Sequence, residues 1–102
     1  MTHHVLIIHE VEDYETWKSV FDQAAGIRKQ AGEIRYRLLR RDGAANHIVH
    51  FSEWVSLDRA RVFFESPELV EVRHQAGVRS PTFLYLDEIE QGSPRRMARD
   101  VT

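Results

Sequence analysis

The sequence contains no cysteine. That excludes disulfides, iron–sulfur clusters, thiolate zinc sites and a cysteine nucleophile. Long apolar runs are absent too. The longest, Val5-Leu6-Ile7-Ile8, is too short for a membrane span or for the apolar stretch of a signal peptide, so the expected location is the cytoplasm and no membrane partner is expected. Neither charge dominates: 14 Lys+Arg stand against 16 Asp+Glu, a formal net charge of −2 with His neutral. A dedicated nucleic-acid binder normally carries a basic excess, so nucleic acid is not an expected partner. No Gly-rich phosphate loop is present either. What remains is an ordinary composition, 42% apolar and 29% charged over 102 residues, sufficient for one modest core and not for two. Residues 1–91 read as one domain. Residues 92–102, with Arg95, Arg96 and Arg99 against Asp100 and no apolar period, read as a polar, flexible tail.

Residues 4–11 are β-branched and aliphatic on both alternations, Val5, Ile7, His9 and Val11 on one side and His4, Leu6, Ile8 and Glu10 on the other. A strand apolar on both faces is covered on both and belongs in the middle of a sheet. Asp13 follows as an N-cap with Glu15 in the first turn. Trp17, Val20, Phe21, Ala24, Ile27 and Ala31 then recur at helical spacing until Gly32, which predicts one amphipathic helix of about five turns. Residues 33–41 alternate Ile34, Tyr36 and Leu38 with Arg35 and Arg37, a wetter strand suited to a sheet edge. Asp42-Gly43 marks a hairpin, and residues 47–54 return as a strand. Ser56 caps a second helix with Leu57, Ala60, Phe63 and Phe64 inward. Ser66-Pro67 breaks it and restarts it with Leu69, Val72 and Ala76 inward, until Gly77. A last strand is expected over Thr82–Glu90, apolar on both alternations.

The order β-α-β-β-α-β predicts an α+β, ferredoxin-like fold. Both helices lie on one face of a four-stranded antiparallel sheet whose first and third strands are central. The helices cover one face only, yet the first and last strands are apolar on two. A second copy of the same sheet is the simplest cover, so a homodimer closing into a barrel-like core is expected.

Six histidines carry most of the chemical capacity. His47-x-x-His50-x-x-Glu53 superficially resembles a metal signature, but on a strand His47 and His50 point to opposite faces. His47 and Glu53 share a face roughly 20 Å apart. No metal site is expected. His9 and His50 each interrupt an apolar run on the two strands placed side by side, where a neutral imidazole can exchange a proton near neutral pH. The competing reading is a histidine hydrogen-bonded within the core or at the subunit contact. Tyr14, Trp17, Trp54, Phe63 and Tyr85 are spaced either to fill the core or to wall a cavity for a flat aromatic ligand.

Several segments carry a family resemblance: Val11-Glu12-Asp13-Tyr14-Glu15-Thr16-Trp17, Glu53-Trp54, Phe63-Phe64-Glu65-Ser66-Pro67-Glu68-Leu69 and Ala76-Gly77-Val78. On these, residues 4–90 resemble the dimeric α+β barrel superfamily in its antibiotic-biosynthesis-monooxygenase-like (ABM-like) branch. That superfamily includes cofactor-free oxygenases of polyketide quinones, heme-degrading oxygenases, muconolactone isomerases and polyketide cyclases. The resemblance implies a pocket between sheet and helices, and a homodimer that binds a small apolar or aromatic, polyketide-like molecule. It further implies oxidation, cyclisation or isomerisation without a cofactor. In that reading His9 or His50 is the general base and Tyr36, Trp54, Phe63 or Tyr85 contacts the substrate. A non-catalytic, dimeric ligand-binding or scaffold module is the alternative. Heme is the weaker one: His74 invites comparison with the heme ligand of the heme-degrading relatives, but helical spacing turns it away from Leu69, Val72 and Ala76, and Phe63 stands where those relatives carry Trp.

Overall fold

Gly32 and Gly77 end the two helical stretches with positive φ, +126° and +76°, and each passes the chain straight into a strand. In the computed structural model, which describes residues 2–95, the elements are β1 (His3–Val11), α1 (Tyr14–Gln23), α2 (Ala25–Ala31) and β2 (Glu33–Arg40). They continue with β3 (His47–Trp54), α3 (Leu57–Phe64), α4 (Pro67–Gln75) and β4 (Val78–Asp87). All strand pairs are antiparallel, in the order β2-β3-β1-β4, with β1 and β3 central. This is the ferredoxin-like arrangement, with all four helices on one face. Asp13, Ser56 and Ser66 cap α1, α3 and α4, each side-chain oxygen accepting a backbone N–H. No helix among the described residues is long and apolar enough to cross a membrane.

Four details depart from the sequence expectation. The first helix is not continuous. Ala24 leaves helical geometry at φ −87°, ψ 3°, which separates α1 from α2 and rotates the second segment. Ile27, expected inside, is consequently 45% exposed, and Arg28 is buried in its place. The second departure is a register shift between Glu33 and Arg35 opposite Glu53 and Trp54, which turns Glu33 inward and leaves Ile34 exposed. β2 also ends at Arg40 rather than residue 41. Finally, β4 occupies Val78–Asp87 instead of Thr82–Glu90, and Ile89 lies beyond it, almost fully exposed. Pro81 is tolerated because β4 is an edge strand, and the ladder slips between Ile8 and Glu10 where Ser80 adopts φ +47°. Of the expected tail, residues 96–102 lie outside the described residues.

The core lies between sheet and helices. Val5, Ile7, Trp54, Ala60 and Phe64 form one cluster; Val11, Trp17, Phe21, Ile48 and Ala76 form another. The opposite face of the sheet carries Leu6, Ile8, Leu39, Val49, Phe51, Leu84 and Leu86, and no helix among the described residues packs over it; Leu39 is 52% exposed. A Cβ added at Gly32 would stand 2.8 Å from a methyl of Val55 while the backbone holds a left-handed φ. Gly32→Ala is therefore expected to destabilise the fold by at least about 1 kcal/mol, read from the midpoint of urea unfolding at unchanged slope.

Candidate functional site

A cavity of about 70 Å³ lies between the covered face of the sheet and the four helices. His9 of β1 and His50 of β3 both line it. The ladder pairs Ile7 with His50 and His9 with Ile48, so the two histidines are diagonal neighbours on one face, with backbones roughly 7–8 Å apart. Most of the remaining wall is apolar, with Trp17, Phe63 and Val72 among its members.

The two imidazoles have opposite surroundings. His9 is 5% exposed, with its ring 5.3 Å from that of Trp17, and neither ring nitrogen has a hydrogen-bond partner among the described residues. Burial, then the proximity of His50 and Arg73, lowers its pKa from 6.5 to about 4. At neutral pH His9 is uncharged and offers one N–H donor and one lone pair to the cavity.

His50 is anchored. Its Nε2 lies 2.8 Å from Oε2 of Glu33, whose Oε1 accepts from Nε of Arg28 at 2.8 Å. Arg28 also donates through Nη1 to the carbonyl of Phe21 and stacks 3.7 Å above the Phe21 ring. The side chains of Arg28, Glu33 and His50 are only 5%, 6% and 4% exposed. Burial alone would raise the pKa of Glu33. The hydrogen bond and charge of His50, together with those of Arg28, outweigh it and hold the carboxyl below its ordinary value. The His50 ring is packed edge-on against Phe21, Tyr36 and Phe64. An ionised Glu33 accepts a hydrogen bond from Nε2–H, a tautomer that places the ring's lone pair on Nδ1, which makes no hydrogen bond to the described protein.

Of the residues singled out from sequence, the structure brings His9, Trp17, His50 and Phe63 together around the cavity. Tyr36, Trp54 and Tyr85 are not in its wall. Tyr36 is 45% exposed and backs onto Phe21 and His50 from the edge strand. Trp54 is core: it is 1% exposed, wedged against Phe63 and Phe64, and its Nε1 donates to Ser52 Oγ at 2.8 Å. Tyr85 lies beneath the Arg61 guanidinium. His47 faces the other side of the sheet beside Glu10, and His74 is exposed on α4. No group of three His, Asp or Glu among the described residues is placed to hold a metal ion.

Sequence reasoning passed over Arg28, Glu33 and Arg73. Arg73 was visible: four residues after Leu69 and three before Ala76, it shares their helical face. Arg28 and Glu33 were hidden by the break at Ala24 and the bulge after Glu33, which reset the phase of each element.

A group whose folded pKa is depressed contributes stability at high pH that is lost as pH falls. His9 therefore makes stability decline from about pH 6.5 to about pH 4, by up to roughly 3 kcal/mol, because the unfolded chain takes a proton that the folded chain refuses. Glu33 acts in the same direction only below its ordinary value of 4.5. His9→Phe is expected to flatten the stability curve between pH 5 and 6.5, measured by urea unfolding across that range; an unchanged slope there rules out a neutral, buried His9.

Comparison with known proteins places this geometry. Among solved structures, SnoaB of Streptomyces nogalater, a cofactor-independent oxygenase, aligns with a TM-score of 0.73 and 18% identity over 92% of this chain and 98% of its own. The monooxygenase from the ActVA-Orf6 gene of Streptomyces coelicolor, solved with nanaomycin D, aligns with a TM-score of 0.61 and 16% identity over 92% and 93%. Rv0793 of Mycobacterium tuberculosis aligns with a TM-score of 0.62 and 17% identity over 89% and 99%. No curated protein matches the sequence. At these identities the structural likeness speaks for the fold. The sequence profile of the antibiotic biosynthesis monooxygenases, however, matches residues 6–75, which is 70 of 102, and the chain belongs to that family.

Proposed function

We propose that the protein is a homodimeric, cofactor-independent monooxygenase acting on a small, mainly apolar aromatic molecule of polyketide type that carries an acidic proton. The observation that carries this reading is the pair of buried histidines in one apolar cavity, His50 held by Glu33 and His9 without a partner. A purely binding module needs no proton-exchanging group in its cavity, and this one has two histidines. SnoaB, a cofactor-independent oxygenase, and the nanaomycin D complex of the ActVA-Orf6 enzyme add support from proteins of the same fold.

In this reading the acidic O–H or C–H of the substrate loses its proton to Nδ1 of His50. The imidazolium so formed is balanced by Glu33, which Arg28 keeps in place. The substrate anion is electron-rich and reacts directly with dioxygen, the second substrate. Neutral His9 supplies a hydrogen bond to the bound molecule. Phe63 contacts its ring; Tyr36 and Trp54 act one layer back, by packing on His50 and on Phe63. Tyr85 holds the β4 side of the core.

The cavity as it stands is smaller than the roughly 150 Å³ that accommodates benzene in an apolar protein interior, so a ring system enters as the wall yields. The wall best suited to yield is α4, which contributes no fully buried residue between its cap and Gln75 and is joined to α3 through Ser66-Pro67. Homodimerisation follows from the uncovered apolar face of the sheet, which a second copy covers with the same residues.

Two measurements test the proposal. Sedimentation at micromolar concentration is expected to give twice the 12.0 kDa chain mass, and a monomer removes the dimer. Oxygen uptake with polycyclic phenols and quinols should fall by at least about 100-fold in kcat for His50→Asn. Unchanged turnover in the His9→Asn, His50→Asn double variant sinks the assigned chemistry.

A further inference from the structure

The geometry points to an anion subsite inside the cavity, formed by Arg73 of α4 and His9 of β1, which takes an ionised oxygen of the ligand: a carboxylate, phenolate or enolate. The inference rests on the cavity being the ligand site and specifies what the ligand must carry.

Two independent features converge there. The first is a cation without a counter-charge. Two arginines line the cavity, and Arg28 is neutralised by Glu33 at 2.8 Å. Arg73 is half-buried, and among the described residues no carboxylate lies within ion-pairing distance of it. Its guanidinium is nevertheless held in place. Nη1 donates to the carbonyl of Phe64 at 2.9 Å, and the group lies 4.8 Å from the centre of the Phe83 ring. Burial strips water from this cation and lowers its pKa, so it stands partly desolvated and unpaired beside an apolar wall.

The second feature is His9, more than nine-tenths buried, lining the same cavity with both ring nitrogens unpartnered. Buried polar atoms are ordinarily satisfied, so an orphaned pair facing a cavity marks a place where a ligand atom belongs. The two groups are close enough for the charge of Arg73 to act on His9. A neutral carbonyl would satisfy the His9 N–H and leave the cation unpaired. A ligand ammonium would be repelled. An oxyanion accepts from both the guanidinium and the imidazole N–H, and in a desolvated site such charge-assisted bonds are the strong ones. His50 lies on the Glu33 side of the same cavity, so the group that takes the proton and the groups that hold the resulting anion are distinct.

Benzoate and benzamide are near-isosteric single-ring probes that differ in charge. Titrated into the intact protein at pH 7.5 and followed by the Cε1–H resonances of the histidines, both are expected to shift His9, with benzoate binding at least about tenfold more tightly. Arg73→Met should bring the two affinities within about twofold of each other, and Arg73→Lys should keep the preference for benzoate. Thermal unfolding of each variant verifies that the fold persists. The loss of the Phe64 carbonyl contact is common to both probes and leaves their ratio unmoved. Equal affinities in the parent chain, or a preference that survives Arg73→Met, overturns the anion subsite while leaving the cavity as a ligand site. Binding of neither probe overturns both.

Discussion

A carboxylate buried against the sheet is the constraint around which this cavity is organised. Removing an ion from water costs several kcal/mol even after relaxation, and only close partners with good geometry offset it. Glu33 has two, Arg28 on one oxygen and His50 on the other. Meeting that demand requires Arg28 to face inward from α2, which the break at Ala24 achieves. It requires Glu33 to face inward from β2, which the bulge before Arg35 achieves. Both irregularities sit within a dozen residues of each other, on either side of Gly32. They leave Ile27 and Ile34 in water, an unfavourable exchange for the core taken alone. Local order has been given up so that one histidine is oriented by a charged chain that reaches back to the Phe21 carbonyl.

That chain gives two chemically identical side chains different work. His9 and His50 occupy neighbouring strands, face the same space and are similarly buried. The difference lies in what stands behind them. His50 has a carboxylate behind it, 2.8 Å from its Nε2. His9 has an indole beside it and no carboxylate partner, and its burial, with the nearby charge of Arg73, favours the neutral form, so both nitrogens stay available for hydrogen bonding. Environment separates two histidines without any change in residue type, as it does for paired carboxylates in hydrolytic sites; the proposed roles of base and hydrogen-bonding partner rest on that separation.

The legible part of the sequence was the part governed by regular periods. Apolar alternation in β1, the N-caps at Asp13, Ser56 and Ser66, and the glycines at 32 and 77 were enough for element order and sheet topology, whereas the shared face of His9 and His50 depends on the β1–β3 register, which periodicity does not fix. The aromatic candidates were less legible, because a tryptophan at strand spacing looks the same whether it fills a core or walls a pocket. Trp54 fills the core. The charged members of the site were least legible. Arg28 and Glu33 face inward only because two elements change phase. A phase change is a tertiary compromise, driven by the pairing of Glu33 with residues 5 and 17 positions away, and window-based periodicity has no access to it. Arg73 kept its phase and could have been read from the helical wheel. It was passed over because an arginine is normally assigned to solvent.

The sheet divides its labour by face. On one side, β1 and β3 present the histidines to the cavity; on the other, the same strands present Leu6, Ile8, Val49 and Phe51, with no helix among the described residues over them. Successive residues of a strand point to opposite faces, so a residue of the cavity wall and a residue of the open face are always adjacent in sequence and never in contact. The two faces therefore share a backbone but no side chains. A one-residue slip in β1 would exchange them, burying Glu10 and moving His9 out of the cavity. The central position of β1, hydrogen-bonded along nearly its whole length on both edges, opposes that slip. The bulges fall where they can be absorbed, in the edge strands β2 and β4. Irregularity in β2 supplies the carboxylate, and regularity in the centre preserves the register that brings His50 to it.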